Sequence, residues 1–284
     1  MFVHRHWARA EARVPSDEFP WTVAAVRGSD LGEDDARRRA EEAAKRAAAH
    51  VAEHGPWSRE AAWRRDEEGY WYAAQCSAEE MVEELDDGRG RRIAAVTRNS
   101  YGALVLNAAS VLFVDVDEPP KAGGLLGRLG LGSRDARMIA AMEAAALDEP
   151  SLRFEAFRTA GGFRVLVTGR PFDPAGDEAH ALMRRLGVDP LYARLCRAQR
   201  CFRARLTPKP WRIAMAAPGV RFPFTSPENE VRLREWEIAY HERARGHGAC
   251  TAFAVRGDDR PDTVATPVVA LHARAVVTDG TPLA

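Results

Sequence analysis

The sequence predicts an α+β fold, and three segments carry that prediction. Residues 111–117, VLFVDVD, run four apolar residues into two aspartates separated by one residue, the pattern of a buried strand that surfaces at an acidic end. Residues 152–158 and 163–168 are apolar-rich runs on either side of Thr159-Ala160-Gly161-Gly162, which reads as a β-hairpin around a turn of small residues. Residues 33–54 are rich in alanine, charged throughout and closed by Gly55-Pro56, which predicts a long helix with a defined stop.

Composition narrows the classes. The 284 residues suffice for one large domain or two closely packed lobes, and 46% hydrophobic with 29% charged residues is ordinary for a globular protein. Lys+Arg and Asp+Glu both number 41, so any polyanion partner must be recognised by a local patch. The opening MFVHRHWARAEARV does not read as a signal peptide, and no apolar run reaches membrane-spanning length. A cytoplasmic location without membrane attachment is the expectation. Cysteines at 76, 196, 201 and 250 form no CxxC pair and read as thiols of a reducing compartment. A zinc site from Cys196, Cys201, His241, His247 and Cys250 would need a spacing unlike ordinary ligand knuckles.

In chain order, residues 2–14 suggest an opening strand, and 33–54 a helix with the small stripe Ala36, Ala40, Ala43, Ala44, Ala47 and Val51. A short strand over 70–74 and a helix over 78–85, ending before Asp86-Asp87-Gly88, come next. Strands over 92–98 and 103–106 lead into VLFVDVD. Residues 118–133, with two prolines and five glycines, have no packing face and read as a mobile loop beside the acids. A helix over 134–147, the hairpin, a helix over 177–186 and another over 229–245 complete the body. One apolar segment over 264–277 precedes the end.

Strand side chains alternate faces, so Asp115 and Asp117 share one, with Cα atoms roughly 7 Å apart. Two carboxylates so placed form a hard oxygen site suited to Mg2+ or Mn2+; the plainer alternative is a solvated strand end. Replacing both with asparagine is expected to abolish Mn2+ binding while leaving the fold intact or more stable, because it relieves like-charge repulsion when no metal is present.

Residues 184–212 break the overall neutrality. They hold eight arginines and Lys209 against one acid, Asp189. Arginine's planar fork matches phosphate oxygens, and Tyr192, Phe202 and Trp211 are interleaved as base-stacking surfaces would be. Pro208 and Pro210 forbid a regular helix over FRARLTPKPWR and leave its cations on a shaped loop. Arg98, Asn99 and Tyr101 precede Gly102, which turns the chain back toward Asp115; they line the same site or form a polar hairpin loop.

Together these motifs resemble the catalytic core of the archaeo-eukaryotic primase superfamily, including the primase-polymerases. That family carries an apolar strand ending in DxD, then a small-residue turn written roughly S/T-G-x-x-G-x-H on a hairpin, then a third acid and an arginine-rich stretch with a phosphate-contacting lysine. VLFVDVD matches the first motif. TAGGFRVLV matches the second in form, with Arg164 where the family has histidine. VDPLYARLCRAQRCFRARLTPKPW resembles the third, over a total span of about 90–215. The resemblance implies a primase-polymerase-like core with an RRM-like β-sheet lobe flanked by helices at 91–225. Before it would lie an N-terminal α/β lobe at 1–90, and after it a C-terminal helical extension at 226–284. It implies Asp115, Asp117 and Asp189 as catalytic metal ligands for Mg2+ or Mn2+. Arg164, Arg203, Arg205, Lys209, Arg98 and Thr159 become the phosphate-binding set, and the partners are nucleotides and, beyond them, nucleic acid. The expected activity is nucleotidyl transfer; the alternatives are a non-catalytic nucleotide or nucleic-acid binder, and a metal-dependent phosphohydrolase or nuclease.

Overall fold

The computed structural model describes residues 1, 3–18, 20–55, 63–65, 71–73, 78–117, 134–260 and 262–284. The loop expected over 118–133 and Cys76 lie outside them. The described part is mixed α and β, as expected, and no helix in it is long and apolar enough to cross a membrane.

The chain opens with a hairpin, β1 (His6–Arg13) and β2 (Thr22–Ser29), whose one face receives helix α1 (Glu33–His54). Three acids, Glu33, Asp34 and Asp35, sit in the first turn of α1, where the helix dipole favours them. Gly55 ends the helix at φ 77°, donating its N–H to Val51 O. The buried stripe is Ala36, Ala40, Ala43, Ala44, Ala48 and Val51; Ala48 rather than Ala47 faces the hairpin. Alanines there let the helix lie close to the strands. Arg92 clamps this unit to the body, donating to Val3 O, Asp30 Oδ1 and Glu84 Oε1.

Two larger sheets form the body. One is antiparallel and ordered β11-β7-β6-β5, from β5 (Glu80–Asp86), β6 (Arg92–Arg98), β7 (Leu104–Ala108) and β11 (Phe202–Arg205). The helix expected over 78–85 is thus a strand. Its Glu, Met and Leu residues favour helix weakly, and pairing along β6 outweighs that preference. The short pair β3 (Trp63–Arg65) and β4 (Trp71–Ala73) precedes it in the chain.

The second sheet is ordered β13-β12-β9-β10-β8, from β8 (Leu112–Asp117), β9 (Arg153–Thr159), β10 (Gly162–Thr168), β12 (Cys250–Gly257) and β13 (Val276–Val277). Strand β10 is buried along its whole length between β8 and β9. Helix α2 (Arg134–Asp148) connects β8 to β9, giving a split β-α-β unit with β10 in the gap. Strand β12 joins beside β9 rather than beside β8, where an RRM would close its sheet. Residues 226–284 therefore contribute strands to the main sheet as well as helix α5 (Pro227–Ala244) and helix α6 (Thr266–Ala273). The boundary expected near residue 90 falls between β5 and β6, which pair with each other.

Met138, Met142 and Ala145 of α2 join Phe154, Ala156, Phe163, Val165 and Val167 in the principal core. Leu182 and Met183 of helix α3 (Asp177–Arg185) and Cys196 of helix α4 (Pro190–Gln199) belong to it too. Fully burying one such side chain is worth about 1.5–3 kcal/mol, so this cluster fixes the sheet to which the acids belong. The edge strands β8 and β11 meet at Tyr192. Its hydroxyl lies 2.9 Å from both Phe113 O and Arg203 O and accepts the Arg203 N–H at 3.0 Å. Burial raises its pKa well above the ordinary phenol value.

Candidate functional site

The register of β8 against β10 does the first assembly step. Asp115 lies opposite Arg164 and Asp117 opposite Gly162, so the acid pair and Arg164 share one face of the sheet. The small-residue turn lies against the same acids: a Cβ at Gly161 would stand 3.4 Å from Arg212 Nη2 and 3.7 Å from Asp117 Oδ1. Asp115 is half-buried and Asp117 exposed.

Arg164 is only 4% exposed. Its Nη1 donates to Arg205 O at 2.9 Å and lies 3.3 Å from His272 Nε2. Burial, then the charge of Arg164, press the His272 pKa down to about 3. The imidazole is therefore neutral, and its Nε2 accepts from Arg164. An imidazole from α6 thus supports Arg164 from behind.

Beyond β11 the chain passes Thr207 and Lys209 into a single 3-10 turn, Pro210–Ile213. Arg205 Nη1 donates to Thr207 O at 2.8 Å and to Ala284 O at 2.9 Å. Burial lowers the Arg205 pKa, as do the charges of Arg164 and Arg212, against opposition from Asp115. Lys209 is lowered by burial and then by Arg205 and Arg212, with Asp117 and Asp115 opposing. Among the described residues, Arg164, Arg205, Lys209 and Arg212 thus crowd around two carboxylates, a local excess of cations.

The remaining expected residues have other tasks. Asp189 reaches strand β8, its N–H donating to Asp115 O at 2.9 Å. Its carboxylate, however, caps helix α4, accepting from the N–H groups of Leu191 at 3.2 Å and Tyr192 at 2.9 Å. Among the described residues no group of three or more His, Cys, Asp or Glu side chains gathers to hold a metal. Arg203 is tied to both oxygens of Glu79, at 2.8 and 2.7 Å, and to Gln199. Burial opposes its charge, but Glu79, with Cys201 and Tyr101 adding to it, leaves its pKa raised. Arg98 is buried between Glu237 and Glu80 and donates to Gly102 O. Thr159 Oγ1 accepts the Gly161 N–H at 3.3 Å, inside the hairpin turn. Cys196, Cys201 and Cys250 are buried and form no disulfide.

No protein-family model, curated protein or solved structure matches this chain. The site therefore rests on its own geometry.

Two participants escaped the sequence reading. Arg212 is counted in the basic segment but left out of the phosphate set; its position three residues after Lys209 across a proline-led turn was the available signal. His272, isolated among apolar residues, carried none. Tyr101 is placed by Asn99, whose side chain accepts the N–H groups of Tyr101 and Ala103. Gly102 follows at φ 91° with the Trp236 ring packed where a Cβ would be. A cavity of about 300 Å3 elsewhere is lined by Arg5, Trp7, Arg37 and Phe222. Those two arginines already pair with Glu84 and Asp34, so it offers no comparable excess of charge.

Proposed function

We propose that this chain binds a nucleoside triphosphate against Arg164, Arg205, Lys209 and Arg212, with Asp115 and Asp117 holding Mg2+ or Mn2+, and transfers nucleotidyl groups in the manner of the primase-polymerases. The observation that carries this reading is the charge excess. Among the described residues, four cations from β10, β11 and the following turn gather around two acids, and burial and mutual repulsion lower Arg205 and Lys209. A polyphosphate would offset that repulsion.

The donor set fits the metal. Mg2+ is commonly held by one or two carboxylates, with water and substrate phosphates completing its shell, so Asp115 and Asp117 suit an ion carried by a triphosphate without a third acid. A divalent ion there would neutralise and polarise phosphoryl oxygens. The residues of this chain supply the rest. Lys209 and Arg212 flank the acids on the side of the turn and would fix the phosphates. Arg164, held by Arg205 O and His272, contributes a fixed charge that needs no reorganisation during the reaction.

A second reading is a binding protein without the chemistry, favoured by the engagement of Asp189 as a helix cap. The deciding experiment incubates the full chain with Mn2+ and labelled nucleoside triphosphate, with and without nucleic acid. Incorporation of label into product supports transfer. Release of phosphate alone would make the protein a hydrolase. Metal-dependent binding with neither product leaves the non-catalytic reading.

A further inference from the structure

We infer that Trp211 is the platform on which the base of the bound nucleotide stacks, so that the site takes nucleoside triphosphates with little regard to base identity. The inference rests on the phosphate-binding reading above and deepens it. Of the three aromatics in the basic segment, Phe202 is fully buried and Tyr192 is committed to the seam between the sheets. Trp211 is 55% exposed, so its ring keeps surface that a ligand can reach.

Its surroundings tie it to the charged site. Trp211 sits in the chain between Lys209 and Arg212, and the Lys209 ammonium lies 5.6 Å from its ring centroid. The ring of Tyr101 meets it edge-on at 5.1 Å and 65°. The backbone beneath is tied down locally: Pro210 is buried at the first position of the turn, Arg212 N–H donates to Lys209 O, and Met215 N–H donates to Pro210 O, both at 2.9 Å. An indole already ordered in this way loses little conformational freedom when a base stacks on it. Stacking uses the π-face that every base has and reads no hydrogen-bonding edge, hence the expected indifference to base.

The test measures calorimetric affinities of the full chain and its Trp211→Ala and Trp211→Phe variants for three probes: inorganic tripolyphosphate, adenosine triphosphate and cytidine triphosphate. Wild type should bind both nucleotides more tightly than tripolyphosphate. Trp211→Ala should weaken both nucleotides by about tenfold or more, leave tripolyphosphate unchanged and keep the same melting temperature. Trp211→Phe should recover most of the loss. Salt-sensitive tripolyphosphate binding with no preference for nucleotides, or with nucleotide affinity unaffected in Trp211→Ala, would overturn the stacking and leave the phosphate site standing. Equal weakening of all three probes would make Trp211 a support for Lys209 and likewise overturn it. Failure of wild type to bind tripolyphosphate would remove the phosphate site itself, and the platform with it.

Discussion

His272 shows how a single residue can couple the site to pH. Its imidazole is buried against Arg164, Cys250, Phe113 and Phe157, and no carboxylate faces it among those contacts. Burial and the Arg164 charge hold its folded pKa near 3, against 6.5 for an ordinary histidine. A group whose folded pKa is depressed in this way takes up a proton more readily when unfolded. Its stabilising effect is complete above about pH 6.5 and declines as pH falls toward 3, by as much as several kcal/mol. Unfolding free energies from urea titrations at pH 7.5, 6 and 5 should fall over that range. His272→Gln, which keeps an acceptor for Arg164 but cannot be protonated there, should flatten the slope. An identical slope in the variant would mean that other groups carry it. Arg164 itself, so deeply held, supplies the site with charge rather than with a mobile side chain.

At the scale of elements, what was legible depended on how local the cause was. The strand VLFVDVD, the hairpin around Gly161 and helix α1 are set by their own alternation, turn residues and stop signal, and all three form where expected. Strand β5 was misread because an acid-rich run of helix formers carries no trace of the partner strand it pairs with. Arg203 and Arg205 stand two apart on one strand and look equivalent in sequence. Glu79, 124 residues before Arg203, decides that Arg203 serves an ion pair, while Arg205 bonds the Thr207 and Ala284 carbonyls within the field of Asp115. Asp189 was legible as an acid arriving beside Asp115, but not as the N-cap of α4, although the following Pro190 is a familiar first helical residue. These two roles separate experimentally. Asp189→Ala should cost about 1 kcal/mol of stability through loss of the cap. Asp189→Asn keeps a capping oxygen and removes the charge, so its Mn2+ affinity measured by calorimetry should stay within a few-fold of wild type, as fits a carboxylate committed to the helix cap rather than to the metal. A large loss of Mn2+ affinity in Asp189→Asn with stability intact would restore it as the third metal ligand.

Over the whole molecule charge balances, with 41 basic and 41 acidic residues, so the proposed binding of a polyphosphate would rest on local imbalance alone. The sequence by itself treats Asp115 and Asp117 as a repelling pair whose neutralisation should leave the fold intact or more stable. Their setting reverses that sign. Lys209 feels both carboxylates, and Arg205 feels Asp115, as favourable neighbours amid other cations, so Asp115→Asn with Asp117→Asn would leave Arg164, Arg205, Lys209 and Arg212 repelling one another with less compensation. The double variant should therefore melt below wild type in metal-free, phosphate-free buffer, and the difference should shrink as salt screens the cations. The same substitution should divide the two contributions to binding. Mn2+ affinity should be lost, because the oxygen donors carry no charge. Metal-free tripolyphosphate should bind several-fold more tightly, because two anions that oppose it are gone. Calorimetry in chelator and in Mn2+ reads both effects on one protein. Weaker binding of metal-free tripolyphosphate by the double variant would mean that the carboxylates hold the cations in place, and that the charge excess is a feature of the fold rather than an attractor for phosphate.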